Sequence, residues 1–203
     1  MQNLDEYFKA AFTAAAALLL TAACTEATPP SADAEVPEAF VGSERCADCH
    51  RQQFDAWQGS HHELAMQVAT EATVLGDFGD ATFDYFGDST TFYRKDGAYF
   101  VRTLDGSGDM RDYEVSHTFG VFPLQQYLVE LADGRRQSLP FTWDARDRSD
   151  GGQRWYHMFP DDPVGPGDPL HWTRPYFNWN TICAECHSTN LKVGYDIESN
   201  SFY

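Results

Sequence analysis

From residue 81 to residue 119, apolar and polar positions alternate in short runs. ATFDYFG, TTFYRKDG, AYFVRTLDG and DYEVSHTFG each set aromatic or β-branched residues against polar ones, between Gly and Asp turns. A period of two built from those residue types predicts β-strands with one buried face. Lys95-Asp96-Gly97 predicts a hairpin turn. PLQQYLVEL, from Pro123, fits two templates: a short helix started by proline, or an edge strand. Asp133-Gly134-Arg135 predicts another turn and RQSLPFTWD another strand. Residues 144–171 are rich in Asp, Gly and Pro and read mostly as loop.

The period changes on either side of this stretch. Residues 46–73 read as a helical region, in which His50, Phe54, Trp57 and His61 fall on one face. Gly59-Ser60 interrupts it, and Ser60 with Glu63 three residues on is a capping-box pattern for a second helix. RPYFNWNTICAECH, from Arg174, predicts a short helix at its end. A β-rich insert of about 110 residues therefore separates two helical ends.

The N-terminus carries a different signal. Residues 10–23, AAFTAAAALLLTAA, hold no charge, and at 14 residues the run is too short to span a bilayer. It fits the apolar core of an export signal. Small residues before Cys24 resemble the cleavage box of bacterial lipoproteins, which would make Cys24 the lipid-bearing first residue. Residues 24–39, acidic and rich in Pro and Ala, read as a linker. The expected organisation is a signal over 1–23, that linker, and a folded domain over 40–203 that is a fragment of a longer protein. Localisation follows: exported, in the periplasm or on the outer membrane surface, with the membrane touched only through a lipid at Cys24.

Charge excludes one class of partner. Thirty-one acidic against fourteen basic residues leave a net charge of -17, so nucleic acid is not an expected partner. No G-x-G-x-x-G, no P-loop and no fixed Ser-His-Asp set is present. Asp161, Asp162 and Asp168 read as a solvated loop, with calcium as the alternative.

Cysteine spacing carries the chemistry. Cys46-Ala-Asp-Cys49-His50 and Cys183-Ala-Glu-Cys186-His187 use every cysteine other than Cys24. C-x-x-C-H is the attachment sequence of c-type haem: two thiols reach one edge of the porphyrin, and the adjacent imidazole ligates iron. Two haem c groups are expected in this chain, with more in a longer protein. The alternatives are one zinc held by four thiolates, a thioredoxin-like redox pair, or two short disulfides.

Five further histidines are available as distal ligands: His61, His62, His117, His157 and His171. On a straight helix His61 would lie about 16 Å from His50, so both could not hold one iron unless the chain turns at Gly59. His157, in RWYHMF, and His171, in PLHWT, are flanked by aromatic and apolar residues just upstream of the second motif. His117 reads as a strand residue. Two imidazoles per iron would leave no open coordination position.

Several stretches together resemble a known family. FVGSERCADCH, WQGSHHELAM, TFGVFPLQQYLVEL, GGQRWYHMFP, DPLHWT and NWNTICAECHSTNL span most of residues 40–195. They are similar to the N-terminal part of exported multihaem cytochromes c related to the cytochrome c-554 domain, in the branch that often carries C-terminal tetratricopeptide repeats. The resemblance implies electron transfer between closely spaced bis-histidine haems, and its Trp-x-x-Ser-x-His pattern implies His62 as a distal ligand.

The expected fold class is α+β, a multihaem cytochrome c with short helices at the two C-x-x-C-H motifs and a β-rich insert between them. The expected function is electron transfer through at least two covalent haems. Partners would be redox proteins with basic docking surfaces, with further haem modules or tetratricopeptide repeats. The alternative is a haem enzyme with one open iron position, acting on peroxide, nitrite or another nitrogen oxide. A carrier is favoured over a catalyst.

Overall fold

The computed structural model describes residues 41–203, and the elements below lie in the unit Gly42–Tyr203. The apolar leader, Cys24 and the acidic linker lie outside the described residues.

The alternating segments form consecutive antiparallel hairpins. A short β1 (Met66–Val68) precedes β2 (Ala81–Tyr85), β3 (Asp88–Lys95) and β4 (Ala98–Leu104). Asp96 and Gly97 link β3 to β4 with φ of 53° and 85°. That is a two-residue turn whose left-handed backbone matches strand twist. Phe86 and Gly87, at φ 48° and 101°, join β2 to β3 in the same way. β5 (Met110–Phe119) and β6 (Leu124–Glu130) continue the sheet, with a bulge in β5 between Val115 and His117. β7 (Arg136–Ser138), β8 (Phe141–Asp144) and β9 (Arg154–His157) complete it.

The strand order is β2-β3-β4-β5-β6-β8-β9, with β1 paired to β5 and β7 to β6. These seven strands turn through 305° about one axis. The two ends of the path therefore meet. Tyr85 of β2 stacks on His157 of β9 at 3.7 Å and 23°, and Phe83 meets Phe141 at 6.0 Å.

Aromatic packing fills the interior. Phe78, from the loop before β2, meets Phe92, Tyr99, Tyr127 and Trp155 edge-on, with centroids 5.1–5.8 Å apart. Phe92 lies flat on Trp155 at 3.7 Å. Burying each such ring stabilises the fold by about 1.5–3 kcal/mol. Gln125 secures the loop that delivers Phe78: its Oε1 accepts from Leu75 N–H at 2.8 Å, and its Nε2 donates to Thr73 O at 2.9 Å.

PLQQYLVEL is neither a helix nor an edge strand. It becomes β6, an interior strand buried on both faces. Tyr127 and Val129 face the barrel core, while Leu128 packs outward against Trp179 and Ala184. Double burial erased the alternation that marks its neighbours.

The expected α+β cytochrome fold is corrected. A near-closed antiparallel barrel dominates the chain. The α-helices among the described residues are α1 (Glu44–Ala47), α2 (Arg51–Trp57) and α3 (Ala184–His187). The physical reason is that the strands bury their aromatic faces against one another across the barrel. The core is thus protein on protein and needs neither a helical layer nor a planar cofactor to close it. The expected helical region over 46–73 is also shorter. It stops at Trp57, because Gln58 is extended (ψ 130°) and Gly59 is left-handed (φ 69°). The expected loop over 144–171 contains β9.

Candidate functional site

The second Cys-x-x-Cys-His segment is held by buried amides. Asn178 Oδ1 accepts from Thr181 N–H at 2.9 Å and from Thr181 Oγ1 at 2.8 Å, which starts the turn Trp179–Cys183 leading into α3. Asn178 Nδ2 donates to Gln137 Oε1 at 3.0 Å, and Gln137 Nε2 donates to Trp172 O at 2.7 Å. Asn180 Oδ1 accepts from Arg136 N–H at 2.7 Å. The segment leading into the motif is thereby fastened to β7 at two points. Trp179 and Ala184 bury themselves on Leu128. His187 stands edge-on to Phe119 at 5.0 Å and lies 6.2 Å from Trp179. Cys186 is exposed, whereas Cys183 is half-buried, and burial pushes its thiol pKa up.

The first segment is built on two short helices. His50 N–H donates to Cys46 O at 2.8 Å between α1 and α2, and both Cys46 and Cys49 are exposed. Cys46, His50, Phe54 and Trp57 line an open hollow of about 220 Å3, and Trp57 is 38 % exposed. After Gly59 the chain makes a tight turn. Glu63 N–H donates to Ser60 Oγ at 3.3 Å, and Glu63 Oε2 accepts from Gly59 N–H. The expected capping box thus closes on Gly59 and leads into a single 3-10 turn, Glu63–Ala65.

The turn after the first segment and the second segment itself meet the same strand end. Met66 pairs with Phe119 across β1 and β5, and Gly120 N–H donates to Ala65 O at 2.7 Å. His61 sits 6.0 Å from Phe122. Met66, Phe119 and Cys183 all pack against the cluster around Leu128. The second motif thus lies at the C-terminal end of β5, and the chain that follows the first motif reaches the same end through Ala65 and Met66.

The other expected ligands go elsewhere. His61 and His62 are exposed on the turn after α2. His157 and His171 are buried, at 4 % and 5 % exposure, and belong to the barrel. His157 lies between Tyr85 and Phe141, and its Nδ1 accepts from Phe159 N–H at 3.1 Å. Burial, with His171 nearby, pushes its pKa down to about 4. His171 Nδ1 meets Thr173 Oγ1 at 2.9 Å and accepts from Thr173 N–H at 3.4 Å; burial lowers its pKa too. His117 is half-buried on β5, with its pKa lowered by burial and by Arg136. The anchoring amides Gln125, Gln137, Asn178 and Asn180 were not read from the sequence. Asn178 before Trp-Asn-Thr was the one available signal, as a helix-start residue.

Among the described residues, no group of three or more His, Cys, Asp or Glu side chains is arranged to hold a metal ion. The four described cysteines are free. On this finding the expected cofactor, two covalent bis-histidine haem c groups, is corrected. So is the reading of the chain as a metal-binding cytochrome for electron transport, and the alternative of a haem enzyme with an open iron position. The four-thiolate zinc site falls on the same ground. The physical reason lies in the burial pattern: His157 and His171 are spent on barrel packing and backbone hydrogen bonds, away from the motifs.

Comparison with known proteins gives one local similarity. Residues 45–77 match the family described as cytochrome c554 and c-prime. The match stops before β2. It covers the first motif, the turn after it and β1, and leaves the barrel and the second motif outside. The wider resemblance expected over residues 40–195 is corrected to that stretch. No curated protein and no solved structure matched. Among the described residues, no helix is long and apolar enough to cross a membrane.

Proposed function

We propose that this protein works at sulfur. The two Cys-x-x-Cys-His segments present their thiols to a group brought from outside the chain, and the second of them is held on the rigid barrel. The observation that carries this reading is the exposure of Cys46, Cys49 and Cys186, with aromatic rings beside each motif. Sites on a stiff scaffold hold their geometry better than sites on loops. The six site residues are Cys46, Cys49, His50, Cys183, Cys186 and His187. Their role is attachment, and the protein is a carrier module rather than a catalyst.

The rest of the reading follows from the sequence ends and the charge. The chain is exported, and Cys24 carries a lipid that tethers the domain to a membrane surface. Its net charge of -17 suits partners with basic docking faces.

Thiol alkylation tests the proposal. The chain is recovered from a cell that exports it, denatured, and treated with iodoacetamide. Blocked cysteines at both motifs are the expected result. Cys46→Ser with Cys49→Ser should free the first site alone, and Cys183→Ser with Cys186→Ser the second alone. Full alkylation of all four thiols in the parent chain would contradict the proposal.

A further inference from the structure

A second site lies inside the barrel, independent of the thiols. Where β2 meets β9 lies a partly open pocket with about 30 Å3 of room. That is room for one or two water-sized groups. Its polar lining comes from His157, His171, Thr90, Thr103, Tyr85 and Asp88. Prolines, Leu170, Phe141 and Trp172 complete the wall.

The hydrogen bonds fix what the two imidazoles offer. In each ring Nδ1 accepts from a backbone N–H, of Phe159 for His157 and of Thr173 for His171. A neutral imidazole whose Nδ1 accepts must carry its proton on Nε2. The hydrogen bonds of both rings among the described residues run through Nδ1, and both histidines line the pocket. A neutral Nε2–H has no lone pair to give a metal, so the pair can only donate. A third donor stands beside them: Thr90 Oγ1 and Thr103 Oγ1 are 2.9 Å apart, and only one of the two hydroxyl hydrogens is used between them. Tyr85 does not compete, since its hydroxyl donates to Asp162 O. The one carboxylate on the wall, Asp88, belongs to an exposed residue at the start of β3.

We infer that this cavity binds a small monovalent anion, of halide or formate size, held by the Nε2–H groups of His157 and His171 and a threonine hydroxyl. Several donors lining one mostly apolar pocket favour an acceptor that carries charge, because such bonds are stronger than neutral ones. Room for one or two water-sized groups favours such small anions over larger oxyanions such as sulfate.

The test is a titration of the purified chain at neutral pH with chloride and with formate, at ionic strength matched by sulfate. The readout is the imidazole nitrogen resonances of His157 and His171. Saturable shifts with chloride and formate, absent with sulfate, are expected. His171→Gln should weaken binding by about tenfold or more, the loss of one hydrogen bond to a charged group. Leu170→Trp should abolish it by filling the cavity. Leu170 is 38 % exposed and lies outside the aromatic core cluster. A linear response without saturation, equal shifts with sulfate, or saturable binding unchanged in both variants would each overturn the inference.

Discussion

Single side chains in this protein act through burial. Phe78 is 4 % exposed and is ringed by four aromatic partners, so Phe78→Ala should cost about 4 kcal/mol, read as a shift in the urea midpoint. His157 should make stability depend on pH. Its pKa is about 4 when folded and near 6.5 when unfolded, so the unfolded state binds more protons between those values. The stability it contributes is complete above pH 6.5 and is lost as the pH falls through 4. His157→Gln should flatten the loss of melting temperature across that window, whereas an unchanged slope would show that His157 is not buried neutral. Asp144 behaves alike at lower pH. Arg146 pairs with it and holds its carboxyl at about 2, so its contribution is lost as the pH falls from about 4 towards 2.

At the scale of elements, the second motif rests on Asn178 more than on its own short helix. Asn178→Ala would leave Gln137 Oε1 and Thr181 N–H unpaired. It should cost about 1–3 kcal/mol and raise hydrogen exchange in Trp179–His187 before the strands respond. Strands were legible wherever one face is wet, as the Asp96-Gly97 hairpin shows. β6 was not, because Leu128 is covered by Trp179 and the period of two disappears. The extent of the first helices was misread for a local reason: Gly59 does not interrupt a helix there, it ends one.

Closure belongs to the whole molecule. Nothing local in ATFDYFG or RWYHMF states that Tyr85 will stack on His157, since that contact arises only when seven strands have curved through 305°. For the same reason the motif residues were legible from spacing, while the cavity, assembled from five separate segments, was not. Aromatic flanks made His157 and His171 candidate ligands, and the same flanks pack both inside the barrel. Net charge acts at this scale too: association with an immobilised lysine-rich protein should slow as salt rises, and a rate insensitive to salt would remove charge as the docking force. The central claim, that both motifs carry a group joined through sulfur, meets its most direct test in the intact mass of the exported chain. The account predicts the polypeptide mass plus the same increment at each motif, one increment lost with each pair of Cys→Ser changes. A mass equal to bare polypeptide, or to polypeptide plus lipid alone, would contradict it.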